Sequence, residues 1–249
     1  MEPLAVHALT EDDLRTCRYG RGAKRLTQSS DGSEIVLVLS NGQNVHIGRP
    51  QRPPAMPGKL DDVTGVIIWP GALRLLHYCN AHPEKLSGAR VLELGAGLGL
   101  LGVSASQLGA TRVVLTDLHG ALPTLRTNVL ANSIEGVAQV AELEWGDVSA
   151  CLEETFDLIL AADCVYDELL ATVRQHAGAS TIFLLCGMIG TTAIRECTAA
   201  LGRHFGSVEP LTHALNLEPP RPGASQDDGT RDQTIYRCSA PLGLQLAIA

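Results

Sequence analysis

Short apolar runs alternate with segments of helical periodicity through most of the chain, and this alternation limits the fold more than any other feature. The strands are predicted at 90–93, 112–116, 137–143, 156–161 and 181–186, and the helices at 98–108, 121–132, 168–177 and 191–205. Strands that are linked by helical crossovers lie parallel, with helices on both faces of the sheet. The sequence therefore predicts an α/β fold with a mostly parallel sheet.

The pattern changes at both ends of this region. Two further strands, 207–213 and 234–238, are joined by a loop rich in Pro, Asp and Gly with no helix between them. Strands with such a connection pair most naturally in the antiparallel sense. Before the sheet, Trp69-Pro70 starts a segment of helical periodicity, and proline fits the first turn of a helix because its missing N–H has no partner there.

The N-terminal part is predicted to be an arm. Two β-branched runs, Ile35–Leu39 and Val45–Ile47, flank Asn41-Gly42, which supplies the positive φ angles of a tight hairpin turn. The proline-rich segment 49–58 cannot form a helix or an inner strand, so it is predicted to be a linker. We therefore divide the chain into an arm with its linker, 1–68, and a main domain, 69–249.

Composition narrows the class of protein. With 249 residues, of which 45% are hydrophobic, the chain can bury one full core. Its 7 cysteines are scattered, and no CxxC pair is present, which indicates a reducing compartment. The N-terminus lacks the apolar run of a secretory signal. We expect a cytoplasmic protein, also found in the nucleus, that is monomeric and does not bind membranes.

The net charge of the chain indicates which class of partner it binds. The formal net charge is −8, whereas proteins that bind a nucleic acid backbone gather lysine and arginine to neutralise phosphates. Only Lys24, Lys59 and Lys85 supply lysine. We therefore expect no nucleic acid partner, and a small molecule or a basic protein segment instead.

The strongest local motif is the glycine-rich loop that follows the first strand, Val91-Leu92-Glu93-Leu94-Gly95-Ala96-Gly97-Leu98-Gly99. The spacing of Gly97, Gly99 and Gly102 also spells GxGxxG, which is typical of dinucleotide sites. A carboxylate at Glu93 would repel a pyrophosphate and attract a cation, as in S-adenosylmethionine with its ammonium and sulfonium groups. We therefore predict that Glu93, Gly95 and Gly97 bind S-adenosylmethionine. The alternative for Glu93 is a strand-end carboxylate that is bonded to backbone amides.

Two later strand ends supply further candidate ligands for this cofactor. Asp117 ends the second strand, where a carboxylate can accept both ribose hydroxyls; its alternative role is a helix cap. After the third strand, Trp145 can stack on the adenine, and Asp147 can meet the exocyclic amine. The alternative for Trp145 is a place in the core.

The fourth strand ends in Ala162-Asp163-Cys164-Val165-Tyr166. Methyl transfer to an amine depends on orienting its lone pair more than on a strong base. Asp163 can hold the amine and Tyr166 can fix its direction, so both are predicted to be catalytic, whereas Ala162 is predicted to contact the cofactor. Alternatively, Asp163 is a loop or helix-start ligand and Tyr166 is a packing residue. No metal-ligand spacing and no nucleophile elbow is present in the sequence, so we predict no metal.

Taken together, these motifs resemble the seven-β-strand protein-lysine methyltransferases of the methyltransferase-like family. The resemblance covers roughly residues 35–239 and rests on the hairpin, Trp69-Pro70-Gly71-Ala72, the glycine loop, Asp117, Asn128, Trp145-Gly146-Asp147 and the Asp-x-x-Tyr signature of Asp163 and Tyr166. It implies a Rossmann-like sheet of order 3-2-1-4-5-7-6 with an antiparallel strand 7. It also implies that Trp69 lies near the site and that the partner is a protein with a target lysine.

Two other functions stay open at this point. One is methylation of a small metabolite or a nucleobase, and the other is a non-catalytic interaction module that keeps the cofactor fold. The residues that would bind the substrate are less well defined. Such enzymes often show a basic residue after the fifth strand, and none is present in Cys186-Gly187-Met188-Ile189-Gly190.

Overall fold

The computed structural model describes residues 25–29, 33–49, 65, 68–147, 152–164, 168–188, 192–211 and 233–241. The strands are β1 Arg25–Gln28, β2 Glu34–Val38, β3 Asn44–Gly48, β4 Arg90–Leu94, β5 Arg112–Asp117, β6 Ala138–Glu142, β7 Phe156–Ala162, β8 Ala177–Met188, β9 Phe205–Pro210 and β10 Gln233–Pro241. The α-helices are α1 Pro70–Ala81, α2 Leu100–Gln107, α3 Leu122–Ala131, α4 Leu169–His176 and α5 Thr192–Leu201. Short 3-10 turns cover Pro83–Lys85 and His119–Ala121.

The main sheet has the predicted topology. Its seven strands follow the order β6-β5-β4-β7-β8-β10-β9, which is 3-2-1-4-5-7-6 when the strands are counted from β4. The β4–β5, β4–β7, β5–β6 and β7–β8 pairs are parallel, whereas β10 is antiparallel to both of its neighbours. This confirms the predicted Rossmann-like methyltransferase sheet with an antiparallel last strand.

Alternate residues of the inner strands supply the two faces of the core. In β7, Leu158 and Leu160 join a cluster with α1, α2 and α3, whereas Ile159 and Ala161 join a second cluster with α4. A strand that is buried on both faces reads as a continuous apolar run, which explains why the run at 156–161 predicts an inner strand. The central strands β4, β5 and β7 thus lie between two helical layers, and their carboxyl ends are at the same edge of the sheet.

The N-terminal arm forms a second sheet of three strands. The hairpin of β2 and β3 is present as predicted, and β1 adds to it by antiparallel pairing with β2. The prediction missed β1, because Arg-Leu-Thr-Gln carries no run of apolar or β-branched residues. Buried side chains of the hairpin share one apolar cluster with α1, α2 and α3.

The hairpin turn differs in detail from the prediction. Gly42 has a φ of +87°, but Asn41 is not among the described residues with positive φ. Its side-chain oxygen instead accepts the N–H of Gln43, and Leu39 N–H donates to the Gln43 carbonyl. The connection is thus longer than a two-residue turn, and Asn41 acts through its side chain.

Several predictions concern parts of the chain that lie outside the described residues. These are most of the linker at 49–58, Tyr166 and most of the loop between β9 and β10. The domain boundary at 68/69 also stays a prediction. None of the helices in the described part of the chain is long and apolar enough to cross a membrane.

Candidate functional site

The glycine loop lies at the carboxyl end of the central strand β4, as open α/β sheets require for a ligand site. Gly95, Gly97 and Gly99 all have positive φ angles, and Gly99 caps the N-terminus of α2. A Cβ atom on Gly95 would lie 2.5 Å from Cys164 Sγ and 3.1 Å from Cζ2 of Trp145. Neither the backbone angle nor the neighbours at Gly95 accommodate a side chain, so the loop depends on glycine there.

Glu93 lies beneath this loop and is only 3% exposed. Its Oε2 accepts the N–H of Gly102 in the first turn of α2 at 2.7 Å, and burial raises its pKa to about 8. The alternative considered from the sequence, a carboxyl group bonded to backbone amides, is therefore what the structure shows. Contact with a cofactor stays a prediction, and the observed bond fixes the start of α2 against β4.

Asp117 ties the second strand to the same loop. Its Oδ2 accepts the N–H of Gly97 at 2.6 Å, and its Oδ1 accepts the N–H of Leu118 at 2.7 Å. Burial raises the pKa of this carboxyl group, while the two backbone N–H groups act in the opposite direction. Each carboxylate oxygen can accept more than one hydrogen bond, so the arrangement is compatible with the predicted contact to ribose hydroxyls.

Trp145 lies on the other side of the loop. Its half-buried ring packs on the core, which is the alternative considered from the sequence, and also faces Gly95; stacking on an adenine stays a prediction. Gly146, with a φ of +84°, donates its N–H to Thr172 Oγ1 at 3.0 Å and so fixes the segment to α4. The side chain of Asp147 is exposed.

Asp163 follows β7 directly and has a φ of +53°, which is unusual for a residue with a side chain. Its N–H donates to the Cys186 carbonyl at 2.8 Å. Its Oδ2 accepts the N–H of Gly71, in the first turn of α1, at 2.6 Å. Burial raises its pKa to about 6. The helix-start role considered from the sequence is thus observed.

This contact explains the Trp-Pro-Gly-Ala motif at the start of α1. A Cβ atom on Gly71 would lie 2.5–2.8 Å from the carboxyl atoms of Asp163, so only glycine lets the two approach. Trp69, the N-cap residue of α1, is 41% exposed. Ala162, the last residue of β7, is half-buried beside Asp163. The structure therefore brings Trp69, Ala162 and Asp163 to one place.

Cys164 is a site residue that sequence reasoning missed. Its thiol donates to the Ala162 carbonyl at 3.0 Å, and its sulfur packs against the backbone of the glycine loop at Gly95. Burial raises its pKa, and the charges of Asp117, Asp163 and Glu93 act in the same direction. The three carboxyl groups come from the carboxyl ends of the neighbouring parallel strands β4, β5 and β7, so they lie at one edge of the sheet. A bound cation would favour their ionised forms, whereas a diphosphate would be repelled by them.

Comparison with known proteins gives a consistent picture. Residues 58–186 match the model of a family described as lysine methyltransferase. The chain is 39% identical over 128 residues to protein N-lysine methyltransferase METTL21A of Danio rerio, a match that covers 48% of this chain and 58% of that protein. It is 38% identical over 148 residues to the Mus musculus METTL21A, with 56% and 67% covered.

A third relative is the Mus musculus EEF1A lysine methyltransferase 3, which is 38% identical over 128 residues. That match covers 49% of this chain and 55% of the relative. The chain thus spans a little over half of the length of most of these curated relatives.

Solved structures share the fold. A 16S rRNA N2 G1207 methyltransferase of T. thermophilus, solved with AdoMet and guanosine, has a TM-score of 0.57 at 20% identity over 83% of this chain and 50% of that one. The C-terminal domain of precorrin-6Y C5,15-methyltransferase from Rhodobacter capsulatus has a TM-score of 0.50 at 12% identity, with 68% and 89% covered. At these identities the likeness concerns the fold alone.

Proposed function

Since the chain belongs to the lysine methyltransferase family, we propose that it transfers a methyl group from S-adenosylmethionine to a lysine side chain of another protein. The observation that carries this proposal is that Glu93, Asp117 and Asp163 lie at the carboxyl ends of the adjacent parallel strands β4, β5 and β7, beside the glycine loop and inside the region that matches the family. The relatives that are named protein-lysine methyltransferases support the choice of substrate class.

The described residues fit this cofactor. Because Gly95 has no side chain, the backbone of the loop packs directly against Cys164 and Trp145, where a Cβ atom would clash. We assign the ribose hydroxyl groups to Asp117 and the adenine to Trp145, and Glu93 contributes a carboxyl group below the loop whose ionised form a bound cation would favour. When bound, S-adenosylmethionine supplies an electrophilic methyl group.

Asp163 is the residue proposed to receive the target amine. Its carboxyl group is at the end of β7 and is fixed by the N–H of Gly71, so it has a defined direction. Above its pKa of about 6 it is mostly ionised and attracts the lysine ammonium. Water can then accept the proton that the amine must lose before it attacks. Tyr166 stays a predicted partner in this step.

The proposal is tested by labelling. The purified chain is incubated with radiolabelled S-adenosylmethionine and a cytoplasmic extract, because the sequence predicts a cytoplasmic location. We expect label on protein that survives nuclease treatment and is recovered as methyl-lysine after hydrolysis. Label in nucleic acid or in small molecules would contradict the proposal, and so would the absence of label from every fraction.

Asp163→Asn tests the role of the carboxylate. We expect the rate of methyl transfer to fall about 20-fold, because a charge-assisted contact to the amine is worth about 1.5–3 kcal/mol. The affinity for S-adenosylhomocysteine should change less than about threefold. The matched control is Asp157→Asn, because Asp157 accepts the N–H of Arg90 at the opposite end of the sheet. Equal rates in the two variants would contradict the assignment.

The same carboxyl group predicts a pH dependence. Because burial raises its pKa to about 6, the group loses its charge as the pH falls below that value. The single-turnover rate of the wild type, relative to that of Asp163→Asn, should therefore decline between pH 7 and pH 5. A ratio that stays constant over this range would show that the charge of Asp163 does not contribute.

A further inference from the structure

Asn128 in α3 makes an unusual set of contacts for one side chain. It is 1% exposed, and its Oδ1 accepts the N–H of Gly48 at 2.9 Å. Its Nδ2 donates to the carbonyl of Gly48 at 3.2 Å and to the carbonyl of Leu98 at 2.8 Å. Gly48 ends strand β3 of the arm, and Leu98 belongs to the glycine loop. A single amide group thus joins the arm to the loop.

One turn later, Asn132 repeats the first half of this pattern. Its Oδ1 accepts the N–H of His46 at 2.8 Å, and its Nδ2 donates to the His46 carbonyl at 2.6 Å. The two asparagines therefore pair the outer edge of β3 as a neighbouring strand would. Asn132 also donates to the Asn128 carbonyl, and within the described part of the chain its side chain makes no hydrogen bond to the glycine loop.

The bond to Leu98 completes the anchoring of the glycine loop. Besides the thiol of Cys164, three further groups hold the loop: Glu93 at Gly102, Asp117 at Gly97 and the Thr116 carbonyl, which accepts the N–H of Ala96 at 2.9 Å. Glu93, Asp117 and Thr116 belong to strands β4 and β5, whereas Asn128 belongs to helix α3, which also binds strand β3 of the arm. We infer that Asn128 is a positioning residue for cofactor binding, which couples the docked N-terminal arm to the shape of the glycine loop.

This inference rests on the proposed function, because the loop must bind S-adenosylmethionine for its shape to affect affinity. Its physical basis is that a loop with three positive φ angles has many alternative conformations when an anchor is lost. A loop that is held in advance binds its ligand without this entropic cost. Asn128 then acts on the cofactor site through Leu98, without touching the cofactor.

The test compares Asn128→Ala with Asn132→Ala. Each variant removes the two bonds to one residue of β3, but only the first also removes the bond to Leu98. We expect similar losses in melting temperature. The Kd for S-adenosylhomocysteine, measured by calorimetry, should rise about tenfold in Asn128→Ala and less than twofold in Asn132→Ala. In steady-state assays, KM for the cofactor should rise in Asn128→Ala while kcat changes less than twofold.

Hydrogen exchange of the ligand-free protein provides a readout that needs no cofactor. Amides in peptides covering residues 96–103 should exchange several-fold faster in Asn128→Ala than in Asn132→Ala or the wild type. If Asn128→Ala does not fold, Asn128→Ser is used in its place, because its shorter side chain also lacks the amide group that donates to Leu98, and the same differences are expected.

Equal exchange of the loop in the two alanine variants would overturn the inference, and so would equal Kd values. In either case, binding of S-adenosylhomocysteine by the wild type would leave the proposed function intact. A wild-type protein that binds neither S-adenosylmethionine nor S-adenosylhomocysteine would remove the proposed function and this inference with it.

Discussion

Gly95→Ala is expected to lower the affinity for S-adenosylhomocysteine about 100-fold, which corresponds to about 2.7 kcal/mol. The added methyl group would lie 2.5 Å from Cys164 Sγ, a separation at which either the loop or the thiol must move. It would also lie 3.1 Å from Trp145 Cζ2, so the ring that is proposed to lie against the base shifts as well. The measurement is calorimetric titration of the folded variant.

The matched control is Gly88→Ala. Gly88 has a φ of +79°, close to the +66° of Gly95, but a Cβ atom there would have no neighbour within 4 Å. Both substitutions therefore carry a similar backbone strain, on the order of 1 kcal/mol, and only Gly95→Ala clashes with Cys164 and Trp145. Gly88→Ala should bind the ligand like the wild type. Wild-type affinity in Gly95→Ala would contradict the placement of the cofactor at this loop.

Asp117→Asn is expected to weaken binding of the same ligand about 50-fold. The carboxylate binds the N–H groups of Gly97 and Leu118 with two different oxygens, and the amide group replaces one of these oxygens by an NH2 group that cannot accept. The loop therefore loses an anchor and the ligand loses a charged acceptor, each worth about 1–3 kcal/mol, with partial overlap. Asp157→Asn, at the other end of the sheet, should leave the affinity unchanged.

A thermodynamic cycle separates the two contributions of Asp117. The 2′-deoxy analogue of S-adenosylhomocysteine lacks one hydroxyl group that a bidentate carboxylate would accept. If Asp117 contacts that hydroxyl group, the substitution should weaken binding of the deoxy analogue less than binding of the parent compound. Equal losses for the two ligands would assign Asp117 to loop anchoring alone.

The sheet order and the location of the site could be predicted because they depend on features that repeat along the chain. Apolar runs with helices between them specify strands that are buried on both faces, and the carboxyl ends of such strands meet at one edge. The glycine loop, Asp117 and Asp163 each follow an apolar run directly. Their convergence therefore follows from the topology, although the contacts do not.

The partners of the carboxyl groups could not be predicted, because they come from distant parts of the chain. Asp163 bonds the N–H of Gly71, 92 positions earlier, and Asn128 bonds Gly48, 80 positions earlier. For Glu93, sequence reasoning favoured a cofactor contact, whereas the observed partner is Gly102 in the next helix. Side-chain bonds to backbone groups leave no periodic signal in a single sequence.

Strand β1 and the thiol of Cys164 escaped prediction for different reasons. The polar β1 is specified by its pairing with β2 and carries little pattern of its own. Cys164 resembles an ordinary buried thiol until the structure places it beneath Gly95. A small side chain after a strand-end aspartate is the only hint that the sequence contains.

The central claim is that the acidic glycine loop binds a sulfonium nucleoside and not a dinucleotide, although Gly97, Gly99 and Gly102 also match the dinucleotide pattern. The most direct test is calorimetric titration of one preparation of the full chain with S-adenosylmethionine and, separately, with NAD⁺. We expect saturable binding of S-adenosylmethionine with a Kd on the order of micromolar, and no saturable heat with NAD⁺. Tight binding of NAD⁺ together with no binding of S-adenosylmethionine would contradict the claim.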